Sequence, residues 1–282
     1  MRPPQRKTRK RRTRQRSRPT VTQVDEQPAG NPAGEASLIS HLLELRTRLM
    51  YAGIAIIVLF FCLWPFSDQL FSLAAAPLIA QMPEDSTMIA TQVASPFLTP
   101  FKLSMVAAVF LAMPVILYQI WAFVSPGLYQ REKRFTVPLL ISSILLFYLG
   151  VAFAYAVVFP LMFAFFNAVA PEGVTVMTDI SHYLDFILVL FFAFGMAFEV
   201  PIATVLLVWS GFVTPASLRG KRTYVFLSCF VFGMFLTPPD IVSQTLLAVP
   251  MYLLFEVGIV MSRILVPGHK EVEAQQAEQS DD

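Results

Sequence analysis

Six apolar runs, near residues 49–66, 103–124, 136–160, 184–210, 223–236 and 243–263, fill most of this chain, and its charged residues fall almost wholly between them. An α-helix rises about 1.5 Å per residue, so about 20 apolar residues cross a hydrocarbon core of about 30 Å. The pattern predicts an all-α, polytopic integral membrane protein with six transmembrane helices. At 56% hydrophobic and 14% charged, the composition fits a chain whose main solvent is lipid. Any function is therefore expected in or on the bilayer. The apolar run at 49–66 is too long, and its charged lead too extended, for a cleaved signal peptide, so it is read as an uncleaved first span.

The basic residues set the expected orientation. Arg46 and Arg48 precede the first run, Arg131, Lys133 and Arg134 separate the second from the third, and Arg219, Lys221 and Arg222 separate the fourth from the fifth. Basic residues accumulate on cytoplasmic loops, so these connections and both termini are placed in the cytoplasm. The opposite connections carry Asp68, Glu84, Asp85, Glu172, Asp179 and Asp240, with Lys102 as their basic residue. Segments 67–102 and 161–183 are thus expected outside, and the prolines and apolar stretches of the first suggest a packed cap. Three regions follow: a disordered tail at 1–37, basic and then Pro/Gly-rich; a six-helix membrane domain at 38–266; and a disordered acidic tail at 267–282. The basic tail lacks any nucleic-acid module, so no specific nucleic-acid partner is expected. Cys62 and Cys229 both lie in apolar runs and read as small buried residues.

The fifth run is anomalous. Thr223 to Leu236 is 14 residues, roughly 21 Å as a helix. The turn Thr237-Pro238-Pro239-Asp240 cannot continue a helix, because proline lacks the amide donor and restricts the residue before it. The expected shape is concave with short fifth and sixth spans, the bilayer being thinned there or the turn lying in a watered concavity.

Five ordered motifs now carry a resemblance. They are His41-Leu42-Leu43-Glu44-Leu45-Arg46-Thr47-Arg48-Leu49, Ser125-Pro126-Gly127-Leu128-Tyr129, Glu132-Lys133-Arg134, Phe198-Glu199-Val200-Pro201, and Thr237-Pro238-Pro239-Asp240 with Ser243-Gln244. In this order they resemble the TatC family, the core subunit of the bacterial twin-arginine protein translocase, in its proteobacterial form. The resemblance does not extend to residues 1–35. Lys133 stands where the family often has arginine, which keeps the charge and loses the planar fork.

The resemblance implies a signal-peptide receptor and scaffold that exports folded proteins across the bacterial inner membrane using the proton-motive force. It also implies single-span TatA and TatB partners, twin-arginine signal peptides as ligands, self-association in a multimeric complex and contact with membrane lipid. Glu44 and Glu132 match the family's arginine-binding carboxylates, flanked here by Arg46, Lys133 and Arg134. A carboxylate suits this task because it accepts the paired donors of a guanidinium, whereas lysine offers a point charge. From the residues alone, Glu44 also stands four positions before Arg48 and pairs with it on a helix.

Glu199 falls near mid-bilayer by residue count. A carboxylate facing lipid there costs about 2.5–3.5 kcal/mol on insertion scales, so it is expected to face protein or a watered cavity as an intramembrane polar site. Thr237, Ser243 and Gln244 form a polar cluster read as a contact for a partner helix, with Pro238, Pro239 and Asp240 as its structural turn. The alternative function is an ion-coupled small-molecule secondary transporter using Glu199, but such proteins are commonly built from repeats, and none is evident here. No HExxH, GxSxG, P-loop or dinucleotide fingerprint is present, and His41, His182 and His269 lack metal-ligand companions. The chain is accordingly not expected to be an enzyme or to need a metal or cofactor.

Overall fold

The computed structural model describes residues 32–80, 88–128, 133–169, 177–236 and 241–266. Two compact units divide between Leu43 and Glu44, and the helical bundle belongs to the second. In chain order the helices are α1 (Pro32–Leu63), α2 (Ser67–Ile79), α3 (Ser95–Leu111), α4 (Met113–Leu128), α5 (Lys133–Phe153), α6 (Phe159–Val169), α7 (Ile180–Ala197), α8 (Val200–Trp209), α9 (Pro215–Gly220), α10 (Arg222–Leu236) and α11 (Ile241–Leu265). A 3-10 turn at Trp64–Phe66 joins α1 to α2, and a π-helical turn at Ala154–Val158 joins α5 to α6. No strand occurs among the described residues.

These helices account for six spans. His41–Ile79, Val137–Val169, Ile180–Trp209 and Gln244–Leu265 are each long and apolar enough to cross a membrane, while α3 and α4 pass the same test together with a 47° bend between them. The sixth is the short apolar α10, whose 15 residues extend about 22 Å. The fifth span is therefore short as expected. The sixth is not: α11 has 25 residues, about 37 Å, and runs from Ile241 through Pro250 to Leu265. Helix α1 begins at Pro32, inside the stretch assigned to the tail. Cys229 is buried as expected, but Cys62 is exposed, since the first span buries little of its surface within the chain.

Proline explains the bends, and tyrosine repairs them. A proline inside a helix removes the N–H that would serve the carbonyl four residues earlier. Pro114 thus deprives Phe110, and Pro77 deprives Leu73. The Tyr148 hydroxyl donates to the Phe110 carbonyl at 3.0 Å, and the Tyr155 hydroxyl donates to the Leu73 carbonyl at 3.0 Å. The Tyr183 hydroxyl adds a bond to the Ala74 carbonyl at 2.8 Å. In hydrocarbon an unmet backbone group costs several kcal/mol, so the Tyr148 bond makes the bend between α3 and α4 tolerable within a span.

Between α5 and α7 the backbones approach closely at two glycines. A Cβ on Gly150 would lie 2.5 Å from the Phe194 carbonyl oxygen, and one on Gly195 would lie 2.6 Å from the Phe147 ring. Gly258 of α11 packs in the same way on Thr204 and Pro201 of α8, where a Cβ would meet side-chain atoms at 2.9 Å. Small residues at such contacts let membrane helices gain dispersion energy without a hydrophobic drive between them.

Asp179 ties the two connections at the expected external end, a role with no mark in its local residues. It caps α7, accepting from the amides of Ser181 at 2.9 Å and His182 at 3.1 Å. Its second oxygen accepts the Thr91 amide at 2.8 Å and the Thr91 hydroxyl at 2.7 Å. A backbone bridge completes the junction, with Ile89 donating to Thr178 and Ile180 donating to Ile89. The Thr91 hydroxyl, then the Thr91 and His182 amides, hold the Asp179 carboxyl well below the usual carboxylate range. A lowered folded-state pKa means that this stabilisation is complete above about pH 3.9, the unfolded value, and fades as the pH falls toward the folded value. Asp179→Ala is expected to lower the melting temperature by a few degrees at neutral pH and to open the 88–95 segment to protease. The difference from the native chain should shrink below about pH 3.9; a difference that grows on acidification would contradict this account.

Candidate functional site

Three groups of polar residues interrupt the apolar bundle. The first lies on α1, which places positions four apart on one face. There Glu44 Oε1 accepts from Arg48 Nε at 3.0 Å and also from Arg48 Nη2. The third nitrogen of the guanidinium, Nη1, reaches Gln119 Oε1 of α4 at 3.4 Å, so Arg48 links the two helices. Glu44 is 37% exposed and Arg48 23% exposed, so the carboxylate stays accessible while engaged. Arg46 is exposed on the same helix. Glu132 lies outside the described residues; Lys133 and Arg134 open α5. Of the two expected carboxylates the structure therefore describes Glu44, together with the neighbouring Arg46.

The second group surrounds Glu199. Pro201 has no N–H for the Ala197 carbonyl, and the apolar stretch breaks there into α7 and α8. Glu199 stands in the break, its amide donating to the Met196 carbonyl at 3.1 Å and its carbonyl accepting from Ala203 at 2.9 Å. Its side chain turns toward α5, where the buried Ser143 hydroxyl donates to Oε2. The other carboxyl oxygen, Oε1, is buried with no hydrogen-bond partner among the described residues. The expectation that Glu199 faces protein is met. Its partner Ser143 was invisible in the sequence, because one serine in an apolar run carries no mark of the helix it faces.

The third group holds α10 against α11. At one end Arg222 Nη2 donates to Glu256 Oε2 at 2.5 Å, and the Tyr252 hydroxyl donates to Glu256 Oε1 at 2.9 Å. Toward the other end, Gln244 Nε2 donates to the Phe230 carbonyl at 2.7 Å, and its Cγ packs over Gly233. Gln244, expected to meet a partner helix, thus also serves its own hairpin. Ser243 lies in α11, and Thr237, Pro238, Pro239 and Asp240 fall outside the described residues. Glu256, to which sequence reasoning gave no role, is the centre of an interhelical clamp. Its only mark in the sequence was a charge inside an apolar run.

None of the three groups resembles a catalytic or metal centre, and the described residues include no group of three or more His, Cys, Asp or Glu side chains placed to hold a metal ion. What the arrangement offers is a carboxylate able to receive a guanidinium, a polar point inside the bundle and a braced short helix.

Comparison with known proteins gives one consistent result. A family model described as Sec-independent protein translocase protein (TatC) matches residues 40–250. The Sec-independent protein translocase protein TatC of Azotobacter chroococcum mcd 1 is 61% identical over 222 residues, covering 79% of this chain and 87% of the relative. That of Escherichia coli K12 is 59% identical over 229 residues, covering 81% and 89%. A crystal structure of the twin arginine translocase receptor TatC superposes with a TM-score of 0.72 at 38% identity, covering 79% of this chain and 98% of the other.

Proposed function

This chain belongs to the TatC family of Sec-independent protein translocases, and from that premise we propose that it receives twin-arginine signal peptides through Glu44 and Glu132. It is a multi-pass membrane component of the twin-arginine translocase. The finer reading is that it lies in the bacterial inner membrane with both termini in the cytoplasm, self-associates, and works with single-span TatA and TatB subunits. Export of folded proteins would draw on the proton-motive force.

The observation that carries the receptor reading is the Arg48 guanidinium already lodged on Glu44 through two of its nitrogens. It is an intramolecular sample of the ligand chemistry, and a signal-peptide arginine would add to it or displace it. Arg46, exposed on the same helix, adds positive charge near Glu44, and Lys133 and Arg134 are proposed to act with Glu132. Crosslinking tests the reading directly. A twin-arginine signal peptide should crosslink to a probe at Leu45 in native membranes, and a peptide with both arginines replaced by lysine should not.

Glu199 is proposed as a polar site inside the membrane bundle, and Thr237, Ser243 and Gln244 as the polar points that a partner helix meets, with Pro238, Pro239 and Asp240 shaping the turn beside them. The braces at both ends of α10 give this proposal a mechanical consequence. Because the Arg222–Glu256 pair and the Gln244 bond to the Phe230 carbonyl hold α10 in register on α11, the short helix cannot slide to match a thicker bilayer, so the membrane must adapt. Inserting four apolar residues in α10, about 6 Å, is expected to cut transport severely while signal-peptide binding stays near normal. Undiminished transport in the lengthened variant, measured at equal membrane abundance, would remove any functional role for the short span.

A further inference from the structure

Between α2, α3, α5 and α7 lies a partly open cavity of about 330 Å³, within the range of roughly 300–1,000 Å³ typical of ligand pockets. Its walls are apolar side chains, including Leu103, Ala107, Leu188 and Phe191, and the lining residues with polar side chains are Tyr148 and Tyr155. Both hydroxyls already donate to the carbonyls that Pro114 and Pro77 leave unserved. Water needs two to four polar partners to settle in a cavity, and these walls hold their polar groups turned to the backbone. At membrane depth the apolar material at hand is the acyl chain.

A charged pair stands next to these walls without being part of them. Lys102, which precedes the lining residue Leu103, is paired with Asp185, one turn before the lining residue Leu188, so an ion pair joins α3 to α7 beside the cavity. Both side chains are half-exposed, at 50% and 51%. An ammonium has three donors and a carboxylate about four acceptor sites, so one mutual contact leaves each able to take another partner. Eight residues separate Lys102 from Phe110 at the cavity's inner end, about 12 Å of helix, which suits a chain descending from an interfacial headgroup.

We infer that this cavity binds one phosphoethanolamine phospholipid, its acyl chain against Leu103, Ala107 and Phe191, its phosphate on Lys102 and its ammonium on Asp185. Four charges of alternating sign then meet beside the cavity. A phosphoglycerol headgroup brings the phosphate but leaves Asp185 facing net negative charge. A phosphocholine headgroup has no N–H to give the carboxylate. The pair therefore selects a zwitterion that carries a donor.

The test uses the full chain in nanodiscs holding equal amounts of phosphatidylethanolamine, phosphatidylglycerol and phosphatidylcholine with identical acyl chains, followed by native mass spectrometry of the released protein. One retained phosphatidylethanolamine per chain is expected, favoured about tenfold over each competitor, the worth of one charge-assisted contact. Asp185→Asn should bring phosphatidylethanolamine and phosphatidylglycerol near parity, and Lys102→Gln should lower retention of both. Ala107→Phe, which fills the cavity, should reduce phosphatidylethanolamine retention about tenfold. Should that variant fail to fold, the Lys102 and Asp185 substitutions, on half-exposed side chains, decide the matter. Equal retention of the three lipids by the native chain, or a preference unmoved by Asp185→Asn, overturns the inference.

Discussion

Glu44→Gln is expected to weaken binding of a twin-arginine signal peptide about tenfold, without loss of fold or membrane insertion. A hydrogen bond to a charged group contributes about 1.5–3 kcal/mol, and about 1.4 kcal/mol is tenfold in affinity. Glu44 is 37% exposed, so solvent screening puts the effect at the low end. Glutamine keeps the shape and one acceptor oxygen but loses the charge that makes paired guanidinium contacts strong. The present engagement of Glu44 with Arg48 raises the competing account that this carboxylate only fixes the end of α1 against α4. Arg48→Gln separates the two. A receptor carboxylate freed from its internal partner should bind the peptide at least as well, whereas a purely structural pair should fail equally from either side. Replacing the peptide arginines by lysine should cost the native receptor more than it costs the Glu44→Gln variant, the coupling expected of groups in contact. Equal losses in the two receptors would remove Glu44 from the site.

Much of this arrangement could be read from the sequence because the bilayer imposes a length rule. Each apolar run of adequate length became one helix or a broken pair of helices, and the anomalously short fifth run became the 15-residue α10. The Glu44 and Arg48 pair followed from helical spacing alone. Length, however, says nothing about which face of a helix meets which neighbour. For that reason Ser143 opposite Glu199, Tyr148 and Tyr155 on distant carbonyls, and Asp179 on Thr91 could not be read in advance. Each joins residues at least 38 positions apart, and each side chain is ordinary in its local setting. The sixth span, expected to be short beside the fifth, is of full length because α11 runs beyond the apolar stretch at 243–263, from Ile241 to Leu265.

Glu199 carries the second large effect. Ser143 serves one carboxyl oxygen from α5, the other oxygen is buried without a partner, and the residue stands where Pro201 has already broken the helix. Leucine at this position would strand the Ser143 hydroxyl and remove the polar point from the bundle, whereas glutamine retains an acceptor for Ser143 and adds a donor without charge. Polar contacts between membrane helices contribute about 0.6–2 kcal/mol, roughly 3- to 30-fold in an equilibrium. Glu199→Leu is accordingly expected to lose most transport activity, and Glu199→Gln to retain an appreciable share, with both variants inserting normally. Ser143→Ala should fall between them, because it removes the donor but leaves the carboxyl in place. Transport assayed at equal membrane abundance distinguishes the possibilities. If glutamine proves as damaging as leucine, ionisation of Glu199 is required, and its role changes from a neutral polar point inside the bundle to a charge that the transport cycle uses.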